Sequence, residues 1–526
     1  MKSLFTTRAT TYPITVFLAL FMLELFFLLS MNSGRFIYTL DDPYIHLRLA
    51  ENIFEGHYGI NPSEYSSPSS SILWPFLLAP FSHLPFAEYV PLIMNLLASL
   101  GTLLVMSFIV GKVTKNEKAI GILVSLCIPA INLMAITFTG MEHCLQIFLA
   151  VVVVAGLIVE LETGKVPWWL FLGLILGPLI RYEALSITIV SAGYLTFRRH
   201  LTFAGLTTLF SLLALGGFSW FLSSLHLELF PNSVLAKSQI PSATESLPAY
   251  IFTIWENLLT RQGTVLLAGL LLLGITLLSR KLPPKEKGFA AWTGMILLIH
   301  FCLIPIGGNR FYRYDLYIFA TTIMGILYLY RHPLRRIIES HSTMALSSYA
   351  IMFLIGVSFP FLGHSLITPL ASNNIYEQQY QMRIFSQEHY RQPVAVNDLG
   401  LVSYGSDQYV LDLWGLGSSE ALQERRRNKS GAWMDRLAKQ HHVHLAMIYD
   451  RWFPNIPKTW IRLATLHLGK ANITPADSLV AIYVMDQASI TSAKAALHSF
   501  IQDLPEGVHL ELETDKQTAT VQNFQS

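Results

Sequence analysis

Long apolar runs fill the first 363 residues, and each run of about 20 such residues matches the thickness a helix needs to cross a bilayer. They fall near 12–31, 88–111, 118–137, 142–160, 167–180, 183–197, 202–224, 263–279, 289–306, 314–331 and 344–363. The pair 167–180 and 183–197 is short for two crossings. Charged residues make up only 13% of the 526, mean hydropathy is +0.45 and 52% are hydrophobic, whereas soluble domains are about 25% charged. An integral membrane protein fits these values; a string of soluble domains does not. A net charge of +2 without a basic stripe argues against a nucleic-acid surface. Cys127, Cys144 and Cys302 all lie in apolar segments, which disfavours a disulfide framework or a zinc site.

Loop charge orders the crossings, because basic residues are retained on the cytoplasmic side. The doubtful stretch is 72–85, short and interrupted by Pro75, Pro80 and Pro85. If it does not cross, Lys112/Lys115/Lys118, Lys165, Arg198/Arg199, Arg280/Lys281/Lys285/Lys287 and Arg331/Arg335/Arg336 all share a side with Lys2 and Arg8. This predicts about 11 transmembrane helices, an N-terminus inside, a C-terminus outside, and 72–85 as a juxtamembrane helix in the outer leaflet. The first run is longer than the apolar core of a signal peptide and reads as an uncleaved span. Residues 1–363 are thus expected to be a polytopic α-helical membrane domain whose first extracytoplasmic loop is 32–87. After residue 364, short apolar runs at 393–397, 409–413, 444–449, 461–467 and 479–485 alternate with helix-forming segments, predicting a soluble extracytoplasmic α/β domain over 364–526. Arg425-Arg426-Arg427 reads as a solvated helix face.

The first loop, RFIYTLDDPYIHLRLAENIFEGHYGINPSEYSSPSSS, is the one polar, motif-dense stretch of the first half. Asp42-Pro43 starts a helix well and Gly56 stops it, so Asp42 reads equally as an N-cap or as a functional acid. Ile45, Leu49 and Ile53 share one face, and Tyr44, Arg48, Glu51 and Glu55 another, the pattern of an amphipathic helix on a membrane surface. Asp41 precedes the cap and has no such local duty. It is expected to face a cavity between the loop and the spans.

The other outward loops are rich in ionisable groups: TFTGMEH with Glu142, IRYEA with Arg181 and Glu183, PNSVLAKSQ with Asn232 and Lys237, and GGNRFYRYD with Arg310, Arg313 and Asp315. Each alone is compatible with interfacial anchoring. Their recurrence on one side, with an acidic pair, predicts a polar cavity at the outer leaflet. Glu24 within the first span either serves that cavity or merely lines it. Such an inventory suits a lipid-linked sugar phosphate: a carboxylate acts as general base on an acceptor hydroxyl, and cations hold the phosphate that leaves.

The ordered set DDPYIHLRLAENIFEGHYGINPSE, SSPSSSILWP, GMEH, RYEA, PNSVLAK and VLDLWGLGS resembles the GT-C membrane glycosyltransferases, in particular the branch with the mycobacterial terminal arabinofuranosyltransferases. The resemblance spans most of the chain. It implies a polyprenyl-phosphate sugar donor, an extracytoplasmic glycan, lipid or protein acceptor, a bacterial inner (plasma) membrane location, and Asp41 as base with Asp42 supporting. Where the family commonly has Ala after the acidic pair, this chain has Pro43. Arg48, Lys237, Arg310 and Arg313 are the candidates for phosphate contacts, with Glu142, Arg181, Glu183 and Asn232 as further candidate binding residues. No cofactor is required by this logic, although a divalent metal near Asp41, Asp42 and Glu142 is compatible with it. Rival readings are a lipid-linked oligosaccharide transferase, a lipid or solute transporter, and a non-catalytic envelope scaffold.

Overall fold

The computed structural model describes residues 8–237, 247–303, 311, 313–340, 348, 352, 356–358, 361–428 and 430–513. Helices make up nearly all of it as far as residue 390, and a six-stranded sheet with flanking helices follows. Among the described residues, five helices are long and apolar enough to cross a membrane: Arg8–Met31, Ala87–Val113, His143–Thr163, Leu201–Ser224 and Arg261–Leu278. His143–Thr163 is the central one, with 78% of its apolar window buried, whereas Arg8–Met31 at 17% lies on the outside of the bundle.

Several expected crossings take a different form. The run 118–137 is broken into Glu117–Ala130 and Leu133–Thr137. Pro129 ends the first helix, and Asn132 turns the chain in the left-handed region at φ +48°. Its side-chain amide donates to the Phe311 carbonyl at 3.0 Å, which compensates that turn. Fourteen residues rise about 21 Å, short of the ~30 Å of a hydrocarbon core. The segments 167–180 and 183–197 do form two helices, Trp168–Ile180 and Leu185–Phe197, of 13 residues each. The run 72–85, expected as a juxtamembrane helix and not as a crossing, forms the short helix Leu73–Leu78 and one tight turn, Ala79–Phe81, with Trp74 and Leu78 buried. Most of the expected span 344–363 lies outside the described residues.

The basic clusters gather at one end of the bundle. Lys112 pairs with Glu162 (2.6 Å), Arg198 with Glu160 (3.0 Å) and Arg331 with Glu286 (2.6 Å), while Arg335 donates to the Val113 carbonyl. The helix His143–Thr163 starts at the opposite end, where Glu142 precedes its first turn, and reaches the basic clusters with its last turn.

The first-loop helix spans Asp42–Phe54, and Gly56 at φ +84° follows its end as expected. Two expectations about it are corrected. Asp41, not Asp42, occupies the cap position, and neither side chain caps this helix. Nor does the helix lie on a membrane surface: Tyr44, His46, Leu47, Leu49, Ala50 and Asn52 are all buried. The amphipathic pattern misleads because the helix is covered on several sides, by 73–81 and by the segment 400–403 of the C-terminal part.

The helix Leu362–Glu377 runs through the expected boundary at 363/364 and packs along Arg8–Met31. Asn373 donates to the Met31 carbonyl at 2.9 Å, and Ser372 to that of Ile37 at 2.5 Å. Beyond it stand the strands β1 (Val394–Val396), β2 (Val410–Asp412), β3 (Leu445–Ile448), β4 (Ile461–His467), β5 (Leu479–Val484) and β6 (His509–Leu512), in the order β2-β1-β3-β5-β4-β6. β1 is parallel to both β2 and β3, pairing Ala395 with Leu411 and with Ala446, and the remaining pairs are antiparallel. The first five strands match the expected apolar runs. β6 has no such run because it is a largely exposed edge. The chain leaves β1 toward β2 on one side and then crosses to β3 on the other, so β1 sits at a topological switch point. In sheets of this kind, ligands gather at the carboxyl ends of such strands.

Candidate active site

The acidic pair is set against the start of the central helix by a close approach of two loops. Thr39 donates its N–H to the Phe138 carbonyl at 3.2 Å. Gly140, at φ +69°, passes so near that a Cβ there would meet Pro43 and Tyr38 side-chain atoms at 2.7 Å. GMEH therefore needs its glycine, and Glu142 lands beside the loop that carries Asp41 and Asp42.

Around Glu142 the expected residues of three loops converge. Arg181 donates through Nη1 to Glu142 Oε1 (2.9 Å) and Ser70 Oγ (2.8 Å). Through Nε and Nη2 it grips both oxygens of Glu183, at 3.0 and 2.5 Å. Such two-point pairing fits a guanidinium to a carboxylate. Burial works against ionisation of Glu183, and the Arg181 guanidinium overcomes it, holding its pKa below the ordinary value. His46 Nε2 stands 3.8 Å from Glu142 Oε2, and its Nδ1 3.1 Å from Ser69 Oγ. Two guanidinium groups lie over the Tyr314 ring, Arg181 at 4.8 Å and Arg313 at 5.4 Å from its centroid. Arg313 completes the cluster by pairing through Nη2 with Asp42 Oδ2 at 2.7 Å. It is only 7% exposed, and its Nε and Nη1 find no hydrogen-bond partner among the described residues. A buried cation with spare donors beside an acid is a ready receptor for an anion.

Asp41 has a duty that its sequence position conceals. Where the sequence suggests a side chain facing a cavity, its carboxylate accepts the backbone N–H groups of Gly400 (2.7 Å) and Leu401 (2.8 Å) in the turn after β1. A Cβ on Gly400 would meet the Asp41 backbone oxygen and lie 2.7 Å from Oδ2, so only glycine permits this approach. Each carboxylate oxygen keeps a second lone pair for another donor. The neighbouring acid is Asp398, whose Oδ2 contacts the Tyr449 hydroxyl (2.6 Å) and the Gln379 amide nitrogen (2.9 Å). Burial, and then the Asp398 carboxyl, push the Asp41 pKa up to about 8 against the pull of its two N–H bonds. Asp398 is raised as well, by burial foremost. Two carboxyls placed so titrate as a pair that retains a proton at neutral pH.

The remaining expected residues stand apart. Asn232 is fully buried and donates to the Leu416 carbonyl (3.3 Å) and Ser419 Oγ (3.0 Å), while its own N–H reaches Ser67. It thereby stitches PNSVLAK to SSPSSS and VLDLWGLGS. In that last motif Asp412 receives the N–H groups of Trp414 (2.8 Å) and Gly417 (2.7 Å), which closes the turn after β2. Arg48 is committed to the Ile60 carbonyl and to Glu51 (3.1 Å) within its own loop, away from the cluster. The Lys237 side chain and Arg310 lie outside the described residues. Glu24 is half-buried on the first helix. The arginine run is not a purely solvated face, because Arg425 stacks over Trp414 at 3.7 Å and Arg426 donates to the Leu235 carbonyl.

Sequence reasoning missed His46, Ser69, Ser70, Tyr314, Asp398 and Tyr449 as members of this region. The serine tract and FYRYD were in view without assigned partners, and NDLG after an apolar strand gave the one local hint of Asp398. The acids do not fit a divalent ion as they stand. Asp41 is held by N–H groups and Glu142 by Arg181, and among the described residues no three His, Cys, Asp or Glu side chains are grouped to hold a metal.

A family model described as a domain of unknown function (DUF8728) matches residues 373–483. No curated protein matches the sequence. Among solved structures, similarity is found to ArnT from Cupriavidus metallidurans bound to undecaprenyl phosphate, at 11% identity and a TM-score of 0.49, over 90% of this chain and 98% of that one. The archaeal oligosaccharyltransferase AglB from Archaeoglobus fulgidus, in complex with an inhibitory peptide and a dolichol-phosphate, is similar at 12% identity and a TM-score of 0.43, over 90% of this chain and 74% of that one. The arabinofuranosyltransferase AftD from Mycobacteria is similar at 13% identity and a TM-score of 0.44, over 89% of this chain but 41% of that one.

Proposed function

We propose that this membrane protein is a GT-C-type glycosyltransferase that moves a sugar from a polyprenyl-phosphate carrier to an extracytoplasmic acceptor. The observation that carries this reading is the pairing of Asp42 with Arg313, a buried guanidinium with spare donors, one residue away from Asp41. An acid to take a proton and a cation to receive a phosphate stand side by side at the end of the bundle opposite the basic clusters. The ordered motifs that resemble the family supply the substrate class.

In the step itself, an acceptor hydroxyl oxygen bonds to the anomeric carbon while the bond from that carbon to the phosphate oxygen breaks. The hydroxyl proton passes to the Asp41 carboxylate, and the electron pair leaves on the polyprenyl phosphate. Arg313 stabilises the charge that develops on the departing phosphate, in a site where a fixed donor needs little reorganisation. Arg181, locked between Glu142 and Glu183, orients the floor of the site and holds the Tyr314 ring. No step passes through a metal.

The test is transfer from purified lipid-linked donor by the wild type and by Asp41→Asn, with membrane abundance measured in parallel. The variant is expected to lose transfer at unchanged abundance. Transfer at the wild-type rate would remove Asp41 from the chemistry.

A further inference from the structure

At the carboxyl end of β1, hydrogen bonds can be counted without reference to any ligand. Gln378 donates its amide nitrogen to the Asp477 carbonyl at 2.9 Å, which fixes its Oε1 as an acceptor. That Oε1 stands 2.5 Å from the Tyr449 hydroxyl oxygen, and Asp398 Oδ2 stands 2.6 Å from the same oxygen. A phenol has one hydrogen to give. It satisfies one of these two short contacts, and the other then joins two bare oxygen lone pairs. Gln379 does not relieve the shortage, because its amide nitrogen already faces Gln378 Oε1 (3.1 Å), Asp398 Oδ2 (2.9 Å) and the Tyr449 oxygen (3.0 Å) with two hydrogens. Gln378 and Tyr449 are both buried, so solvent does not supply the missing donor.

We infer that Asp398 carries the missing hydrogen: it is a neutral carboxylic acid that donates to Tyr449, which in turn donates to Gln378. Asp41 is thereby left as the ionised member of the two facing acids, held charged by the Gly400 and Leu401 N–H groups. The C-terminal domain on this account does more than cover the site. Asp398 is a positioning residue whose neutrality spares Asp41 a second negative charge at its side. The charged and titratable groups around it are Asp41 and, beyond, Asp42 with Arg313 from the membrane part, and Tyr449 and Asp477 from the sheet domain. The consequence for transfer rests on Asp41 being the base; the hydrogen on Asp398 does not.

Infrared difference spectroscopy of the full-length protein in lipid nanodiscs reads that hydrogen directly. At neutral pH the wild type is expected to show a protonated-carboxyl carbonyl band that Asp398→Asn removes and Asp41→Asn leaves in place. A wild-type spectrum from which Asp398→Asn subtracts only carboxylate bands overturns the inference. Transfer gives the second arm. Asp398→Asn, neutral at every pH, is expected to keep transfer at neutral pH and to extend the pH profile on its alkaline side, whereas Asp398→Leu, which has no donor, loses transfer. An unextended alkaline limb in Asp398→Asn contradicts the positioning role. If Asp41→Asn retains transfer while the band still follows Asp398, the base assignment fails and the hydrogen assignment stands.

Discussion

Gly400→Ala tests the contact that joins the two parts of the site. Gly400 starts a short helical segment, Gly400–Ser403, at a backbone conformation open to alanine, so the substitution is not strained in itself. What it meets is Asp41: the added methyl would overlap the Asp41 backbone oxygen and sit 2.7 Å from Oδ2. Relief requires the turn and the loop to separate, which breaks the N–H bonds to the carboxylate at 2.7 and 2.8 Å. Hydrogen bonds to a charged group contribute about 1.5–3 kcal/mol each, so the loss is about 3–6 kcal/mol of loop-to-domain contact. If it falls on the positioning of Asp41, transfer drops by about 10²–10⁴-fold, since each 1.36 kcal/mol is tenfold. The assay is transfer by purified protein, with the amount of folded protein measured in parallel. Wild-type transfer by Gly400→Ala would show that the Asp41 contact with this turn is dispensable, and the reasoning would fail.

Arg181→Met leaves the buried Glu142 and the partly buried Glu183 without their shared cation, and is expected to cost about 3–5 kcal/mol of stability; a thermal unfolding midpoint equal to the wild type's in the same detergent would refute this. Stability is also expected to fall as pH rises. The folded Asp41–Asp398 pair keeps a proton up to about pH 8, whereas an unfolded aspartate releases it near pH 4. Across that window the folded state binds the extra proton, so each pH unit removes up to about 1.4 kcal/mol. Melting temperatures compared between pH 5.5 and pH 7.5 check the sign, and Asp398→Asn should flatten the slope.

Much of the site could be read from the sequence because its motifs are local. DDP, GMEH, RYEA and FYRYD each place an ionisable side chain at a helix end, and Asp42, Glu142, Arg181, Glu183 and Arg313 do meet in one cluster. The partner of Asp41 could not be read, since Gly400 lies 359 residues away and offers a backbone N–H that leaves no compositional trace. Asp398 was hidden for a related reason, because its meaning depends on Tyr449 and Gln378 arriving from other elements. Arg48 misled in the opposite direction. A cation on an outward loop suggested a phosphate, but Glu51, three residues on, lies within reach of the same helix face. The apolar-run reading found the helices but not their breaks, because Asn132 in its left-handed turn is flanked by residues as apolar as those of an unbroken span.

The helix Leu362–Glu377 has one foot in each half of the molecule. Its flank lies along Arg8–Met31, and its last residue, Glu377, receives the Lys470 ammonium and the Gly469 N–H from the sheet domain. Severing the chain between 363 and 364 would part this flank from the membrane helices, although Arg8–Met31 would still pack on Glu117–Ala130 and Val90–Val113. A division at that point would therefore cut through contacts that this one helix makes with both parts.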